Sequence, residues 1–172
     1  MSAPVNMDID VAENQIVYTR VFAAPRDLVF EAWTRPEHVR WWWGPRGFTV
    51  TVCEIDLRPG GAYRFVHRGP DGNDYPFKGV YRGIVPPERL VYTQIFDVPG
   101  LSVRELLVSV TFDERDGATL LTGRLLFELV KDRVAAMEMG MAQGMAETLD
   151  RLEEHLAAQK SGWRADERWR TV

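Results

Sequence analysis

Cysteine is almost absent from this sequence. Cys53 is the only one in 172 residues, so no disulfide forms within the chain and no cysteine-based metal centre assembles. Histidine is scarce too: His38, His67 and His155 are scattered, with no Cys/His cluster at metal-ligand spacing, and neither a metal nor a cofactor is expected. An excess of basic charge is missing. The formal net charge is −4 and the pI about 5.4, which removes the electrostatic footprint of a nucleic-acid partner. There is also no apolar run long enough to cross a bilayer, and the opening MSAPVNMDIDVAE has neither the basic nor the apolar region of a secretory signal. No membrane partner and a cytoplasmic location are therefore expected.

The length suits one domain, large enough to bury about 70% of its unfolded surface without staples. Its strongest period lies between Lys131 and Gln159, where Met137, Met141, Met145, Leu149, Leu152 and Leu156 recur every three or four residues. Glu147, Asp150, Arg151, Glu153 and Glu154 fall mostly on the other side. This pattern predicts one long amphipathic helix, stable only when its apolar stripe is covered. The first half of the stripe is methionine, a residue that fills irregular space. Gly140 and Gly144 stand within it, each costing about 1 kcal/mol relative to Ala in a helix interior. Two readings stand for them, close packing against a neighbour or room kept for a guest.

Before that helix the sequence reads as sheet. A polar leader over residues 1–13, expected to be flexible, precedes a first strand from Ile16 to Ala23. Pro25 and Pro36 then each open a short helix at the position where a missing N–H is tolerated. The second helix runs into Trp41, Trp42 and Trp43. Three adjacent helical residues spread over about 200° of circumference, so the three indoles cannot share one core and must pack on different neighbours or line a cleft. From Phe48 to Phe127, turn chemistry at Pro59-Gly60-Gly61, Gly69 to Gly72, Pro86-Pro87, Pro99-Gly100 and Asp116-Gly117 separates six further strands. The Phe48 to Arg58 strand is apolar on both sides, which leaves its inner face open and suggests a bulge. The expected fold is α+β: a curved antiparallel sheet of about seven strands with the long helix across its concave face. The ligand-binding domain would span residues 14–159, followed by a charged tail over 160–172 carrying Trp163 and Trp169, frayed or used in a contact.

Several segments, in order and spacing, resemble a known family. They are Arg20-x-Phe22, Ala24-Pro25, Val29-Phe30-x-Ala32-Trp33-Thr34-x-Pro36-Glu37, Trp42-Trp43-Gly44-Pro45, Asp56-x-Arg58-x-Gly60-Gly61, Gly69-Pro70-Asp71-Gly72, Gly79-x-Tyr81 and Pro86-Pro87-Glu88-Arg89-Leu90-Val91-Tyr92-Thr93. Over about residues 14 to 157 the chain is similar to proteins related to the C-terminal domain of the activator of the ninety-kilodalton heat-shock chaperone ATPase. The resemblance implies a helix-grip fold of the START-like, birch-pollen-allergen (SRPBCC) superfamily, in which sheet and helix enclose an apolar cavity. Where relatives often carry Gly-Trp before the Leu-Asp-x-Leu segment, this chain has Gly144-Met145, which implies a softer and roomier wall.

No acid, base and nucleophile set stands out. His38 and His155 read as solvated, Cys53 as an inert buried thiol, Asp56 and Arg58 as an ion pair or a turn-stabilising contact, and Gly60-Gly61 as a tight turn. His67 shares a strand face with Tyr63 and Phe65 and points into the cavity if that face is concave, as a hydrogen-bonded wall residue before a general base. The candidate ligand-binding residues are Trp42, Trp43, Tyr63, Phe65, His67, Tyr81, Gln94, Glu105, Gly140, Met141, Gly144 and Met145, with no catalytic residue assigned. The first functional reading is a binding protein for a small apolar or aromatic molecule, as monomer or homodimer. An enzyme of the cyclase, dehydratase or hydrolase type comes second and needs a convergent titratable pair, for which His67 near Glu105 or Tyr81 is the first place to look. A chaperone cofactor comes third.

Overall fold

A computed structural model describes residues 7–97 and 105–160. The chain order is β1 (Asp8–Ala12), β2 (Gln15–Phe22), α1 (Arg26–Thr34), α2 (Pro36–Trp42), β3 (Thr49–Ile55), β4 (Ala62–Arg68), β5 (Asp74–Val85), β6 (Arg89–Phe96), β7 (Leu106–Arg115), β8 (Ala118–Leu126), α3 (Val130–Glu138) and α4 (Met141–Gln159). All strand pairs are antiparallel, in the spatial order β1-β2-β8-β7-β6-β5-β4-β3. The fold is the expected α+β helix grip, an open curved sheet holding a long C-terminal helix.

Alternation decides which side of each strand is buried. Ile16, Tyr18, Arg20 and Phe22 of β2 face inward, as do Leu106, Val108, Val110 and Phe112 of β7 and Tyr63, Phe65 and His67 of β4. Burial of a large apolar side chain is worth about 1.5–3 kcal/mol, so a one-residue slip in any of these strands would forfeit several such contributions. Helix α4 closes over this face with Leu149, Leu152 and Leu156. Its docking is also ionic: the buried guanidinium of Arg20 lies 2.7 Å from Asp150 and 2.8 Å from Glu153.

The structure corrects the sequence reading in two places. The sheet has eight strands, because Asp8–Ala12, inside the expected flexible leader, pairs with β2 through a two-residue turn at Glu13 and Asn14. Glu13 holds φ 50°, and the Asn14 amide donates to the Phe127 carbonyl at 2.8 Å. All five residues of this edge strand are exposed, so they carry no inward apolar signal. The long helix is also broken. Gly140 stands at φ 88°, in the left-handed region that an L side chain resists, and it ends α3 and starts α4. The helical period survives the break, so the pattern alone conceals it.

The bulge expected in the Phe48 to Arg58 strand is present, as a register shift in β3 between Val50 and Val52. Asp56 and Arg58 form the expected ion pair at 2.8 Å. The Pro99-Gly100 turn and the tail with Trp163 and Trp169 lie outside the described residues. No described helix is long and apolar enough to cross a membrane.

Candidate functional site

A cavity of about 190 Å³ lies between α4 and the concave face of the sheet. Met141, Gly144, Met145, Thr148 and Leu149 of α4 form one wall, and Trp42, Trp43, Gly44 and Pro45 at the end of α2 form a second. Tyr18, His67, Phe77, Tyr92, Gln94, Val108 and Leu125 from six strands, with Trp33 of α1, complete it. Not one Asp, Glu, Lys or Arg is among these residues.

The tryptophans divide as the helical geometry requires. Trp41 is 65% exposed, whereas Trp42 is fully buried and donates its indole N–H to the Ala32 carbonyl at 2.9 Å. Trp42 packs on Trp33 at 4.8 Å between ring centroids, and Trp43 stands edge-on to Phe65 at 4.9 Å. Four hydrogen bonds from Arg151 hold this segment to α4: Nη1 donates to the carbonyls of Trp43, Gly44 and Pro45, and Nη2 to that of Trp41. The carbonyls of Trp41 and Trp43 belong to the C-terminal end of α2, where a cation is favoured, and those of Gly44 and Pro45 to the turn that follows. Arg46 adds an ion pair with Glu154 at 2.6 Å.

Of the candidates from sequence, Trp42, Trp43, His67, Gln94, Met141, Gly144 and Met145 meet around this cavity. Five do not. Tyr63 and Phe65 are inward and buried, but Trp43 packs over Phe65 and the Tyr63 hydroxyl donates to the Thr93 carbonyl at 2.7 Å, so both are core beneath the wall. Tyr81 packs against Tyr63, tilted, and Tyr92, edge-on, in the same core, at centroid distances of 5.5 and 6.0 Å. Glu105 lines a separate depression with Leu106, Leu107 and Phe127 and sits 3.8 Å from Arg82. Gly140 is the interhelical break, with open space where a side chain would be.

His67 is buried at 6% exposure, and its Nδ1 has no hydrogen-bond partner, against the expectation of a bonded wall histidine. Burial first, and then the positive charge of Arg151, push its pKa down to about 4. Its ring contacts are Phe48, Tyr75 and Phe77; neither Glu105 nor Tyr81 is among them. His67 therefore forms neither of the two pairs in which a catalytic role is first looked for. His38 and His155 are half-buried rather than fully solvated and meet, Nδ1 to Nε2, at 2.8 Å between α2 and α4. Burial followed by the neighbouring His38 lowers His155 to about 4. The Cys53 thiol is half-buried rather than buried, and desolvation chiefly pushes it up to about 11, which disfavours the reactive thiolate. Among the described residues no group of three or more His, Cys, Asp or Glu side chains is arranged to hold a metal ion.

Tyr18, Trp33, Gly44, Pro45, Phe77, Tyr92, Val108, Leu125, Thr148 and Leu149 also line the cavity and are not among the candidates from sequence. Inward residues of a sheet look alike until the register is known. One signal was available: Gly123 is the register partner of Tyr18, and a Cβ there would collide with the Tyr18 ring, so the glycine marks where an aromatic side chain crosses the sheet.

Residues 23–157 match the family model described as Activator of Hsp90 ATPase homolog 1-like protein. The chain belongs to this family. Among solved structures, a Nitrosomonas europaea protein is 27% identical, covering 88% of this chain and 99% of its own, with a TM-score of 0.79. A Rhodobacter sphaeroides protein is also 27% identical, over 88% of this chain and 98% of its own, with a TM-score of 0.80. A Silicibacter pomeroyi protein, at 21% identity over 84% of this chain and 99% of its own, shares the fold with a TM-score of 0.71. No match is found among the curated proteins. Family membership supports a ligand-binding or cofactor-type role in general terms, and the particular role must be argued from the site.

Proposed function

We propose that this member of the Activator of Hsp90 ATPase homolog 1-like family binds a small apolar or aromatic molecule in the cavity between α4 and the sheet. The observation that carries the reading is the wall itself, built from indoles, methionines and tyrosines with no ionised side chain among them. Apolar surroundings with a few polar groups are the usual form of a small-molecule site. At about 190 Å³ the space is closer to an apolar cavity of about 150 Å³ that admits benzene than to the several hundred Å³ of drug-sized pockets, so a one-ring guest fits. The methionines and Gly144 make this wall adaptable. The second reading, an enzyme, is disfavoured by His67 standing apart from Glu105 and Tyr81.

The test is a titration with toluene followed by methyl NMR. Saturable shifts of the Met141 and Met145 methyl resonances are expected. Shifts that stay linear, or fall on surface residues such as Met139, would overturn the reading.

A further inference from the structure

Two hydroxyls in the cavity wall give their protons to no protein group. Tyr18 and Tyr92 face inward from β2 and β6, each 5% exposed, and both line the cavity. A buried tyrosine hydroxyl ordinarily finds a partner, as that of Tyr63 does at the Thr93 carbonyl. Trp42 and Thr148 likewise spend their donors on the carbonyls of Ala32 and Gly144, at 2.9 and 2.8 Å. Among the described residues no acceptor takes the proton of Tyr18 or Tyr92, and neither oxygen is sealed from open space as His67 Nδ1 is. Their hydroxyls are therefore open to the cavity they line. Phenylalanine would fill the same volume at both positions, so packing does not call for the oxygens. At Tyr18 the sheet makes way for the phenol: a Cβ on Gly123 would collide with both ring and hydroxyl, so the glycine lets the side chain lie across β8. At Tyr92 burial raises the pKa to about 12, and Trp33 works against that rise as a hydrogen-bonding neighbour. An indole N–H only donates, so it engages the Tyr92 oxygen and leaves the phenolic proton to be given elsewhere. Tyr18 is raised first by burial and then by Tyr92, which puts the two hydroxyls within electrostatic reach of each other.

We infer that Tyr18 and Tyr92 are the specificity-determining residues of this site, their hydroxyls donating to the oxygen of a one-ring carbonyl compound of the aryl aldehyde or ketone type. The inference rests on the cavity being a ligand site. The volume admits one ring. Two phenolic protons call for acceptor lone pairs, and a carbonyl oxygen offers two with no proton of its own to place. A carboxylate offers lone pairs as well, but its charge would be desolvated against neutral donors. Arg151, whose charge acts on His67, is not in the wall; its Nη1 and Nη2 are engaged by the main-chain carbonyls of Trp41, Trp43, Gly44 and Pro45. A site with donors of this kind rejects the analogue that lacks the oxygen.

The experiment compares benzaldehyde, styrene and benzoate by calorimetry on the full chain, in the parent, Tyr18→Phe and Tyr92→Phe. Styrene keeps the shape of benzaldehyde and replaces its oxygen by a methylene. Benzaldehyde should bind the parent about tenfold more tightly than styrene, and each variant should shrink that ratio by weakening benzaldehyde alone. Equal affinities in the parent, or a ratio unchanged in either variant, would overturn the role of the hydroxyls while leaving the cavity reading in place. Benzoate bound more tightly than benzaldehyde would overturn the carbonyl class. Binding of none of the three would overturn both this inference and the cavity reading. A second readout is infrared: the carbonyl stretch of bound benzaldehyde should lie below its position in an apolar solvent and move back up in Tyr92→Phe. A stretch at the apolar-solvent position in the parent contradicts the contact.

Discussion

The Arg151 guanidinium on α4 donates to the Gly44 carbonyl at 2.7 Å, and the same nitrogen reaches the Pro45 carbonyl at 3.1 Å. One side chain thus satisfies the end of α2 and fixes the second cavity wall against the first. Arg151→Met would keep the aliphatic stem and strand carbonyls that have lost their charged donor. It should lower stability by about 2–3 kcal/mol, with Arg151→Lys recovering only part because an ammonium lacks the planar fork. Chemical denaturation checks this; a midpoint equal to the parent's would show that the clasp is dispensable.

The adjacent tryptophans should separate cleanly in thermal unfolding. Trp42→Ala removes a fully buried indole and its bond to Ala32, and about 3–5 kcal/mol should be lost. Trp41→Ala, at a position 65% exposed, should stay within about 0.5 kcal/mol. Comparable losses at the two sites would contradict the assignment of their faces.

The two glycines of the methionine stretch should respond to alanine with opposite signs. At Gly144 an added Cβ makes ordinary contact with Pro45 at 3.5 Å inside a helix, so helix propensity should stabilise the variant by up to about 1 kcal/mol. At Gly140 there is open space but φ is 88°, so alanine should cost about 1–2 kcal/mol through backbone strain alone. Urea midpoints shifted in the same direction would refute the helix break.

Acid should loosen the fold through the buried His67 and the half-buried His155. His67 and His155 titrate near 4 in the folded protein, below the usual 6.5, because burial disfavours their charged forms. The unfolded chain therefore takes up protons first: their contribution to stability is complete above about pH 6.5 and is lost as pH falls from there through 4. Arg151 opposes charge on His67, while around His38 the carboxylates Glu31 and Glu37 favour the cation and burial and Arg35 oppose it. Melting temperature should drop between pH 7 and 4, and His155→Gln should shrink the drop. An unchanged profile in that variant would remove the His38–His155 contact from the account.

What the sequence made legible was whatever is written in local period. The alternation of Val108, Val110 and Phe112 and the stripe of Leu149, Leu152 and Leu156 identify inner faces without any knowledge of their partners. The division of Trp41 from Trp42 follows from helix geometry alone. Contacts between distant segments were not legible. His38 and His155 are 117 positions apart, and nothing local distinguishes a solvated histidine from one that finds another. The same holds for Arg20 and Arg151, whose partners appear only once α4 is laid across the sheet. Tyr63, Phe65 and Tyr81 were rightly placed inside and wrongly placed at the cavity, because alternation gives the side of a sheet but not the depth at which Trp43 covers it.

Gly144→Leu tests the central claim most directly, because it extends a side chain from the α4 wall into the space assigned to a guest. Parent and variant would each be titrated with toluene and melted. If the cavity is a ligand site, toluene binding disappears in the variant while its melting temperature holds or rises, since helix propensity and cavity filling act together. A melting temperature lowered by overpacking, with toluene binding intact, would show that the guest sits elsewhere and that this wall is ordinary core.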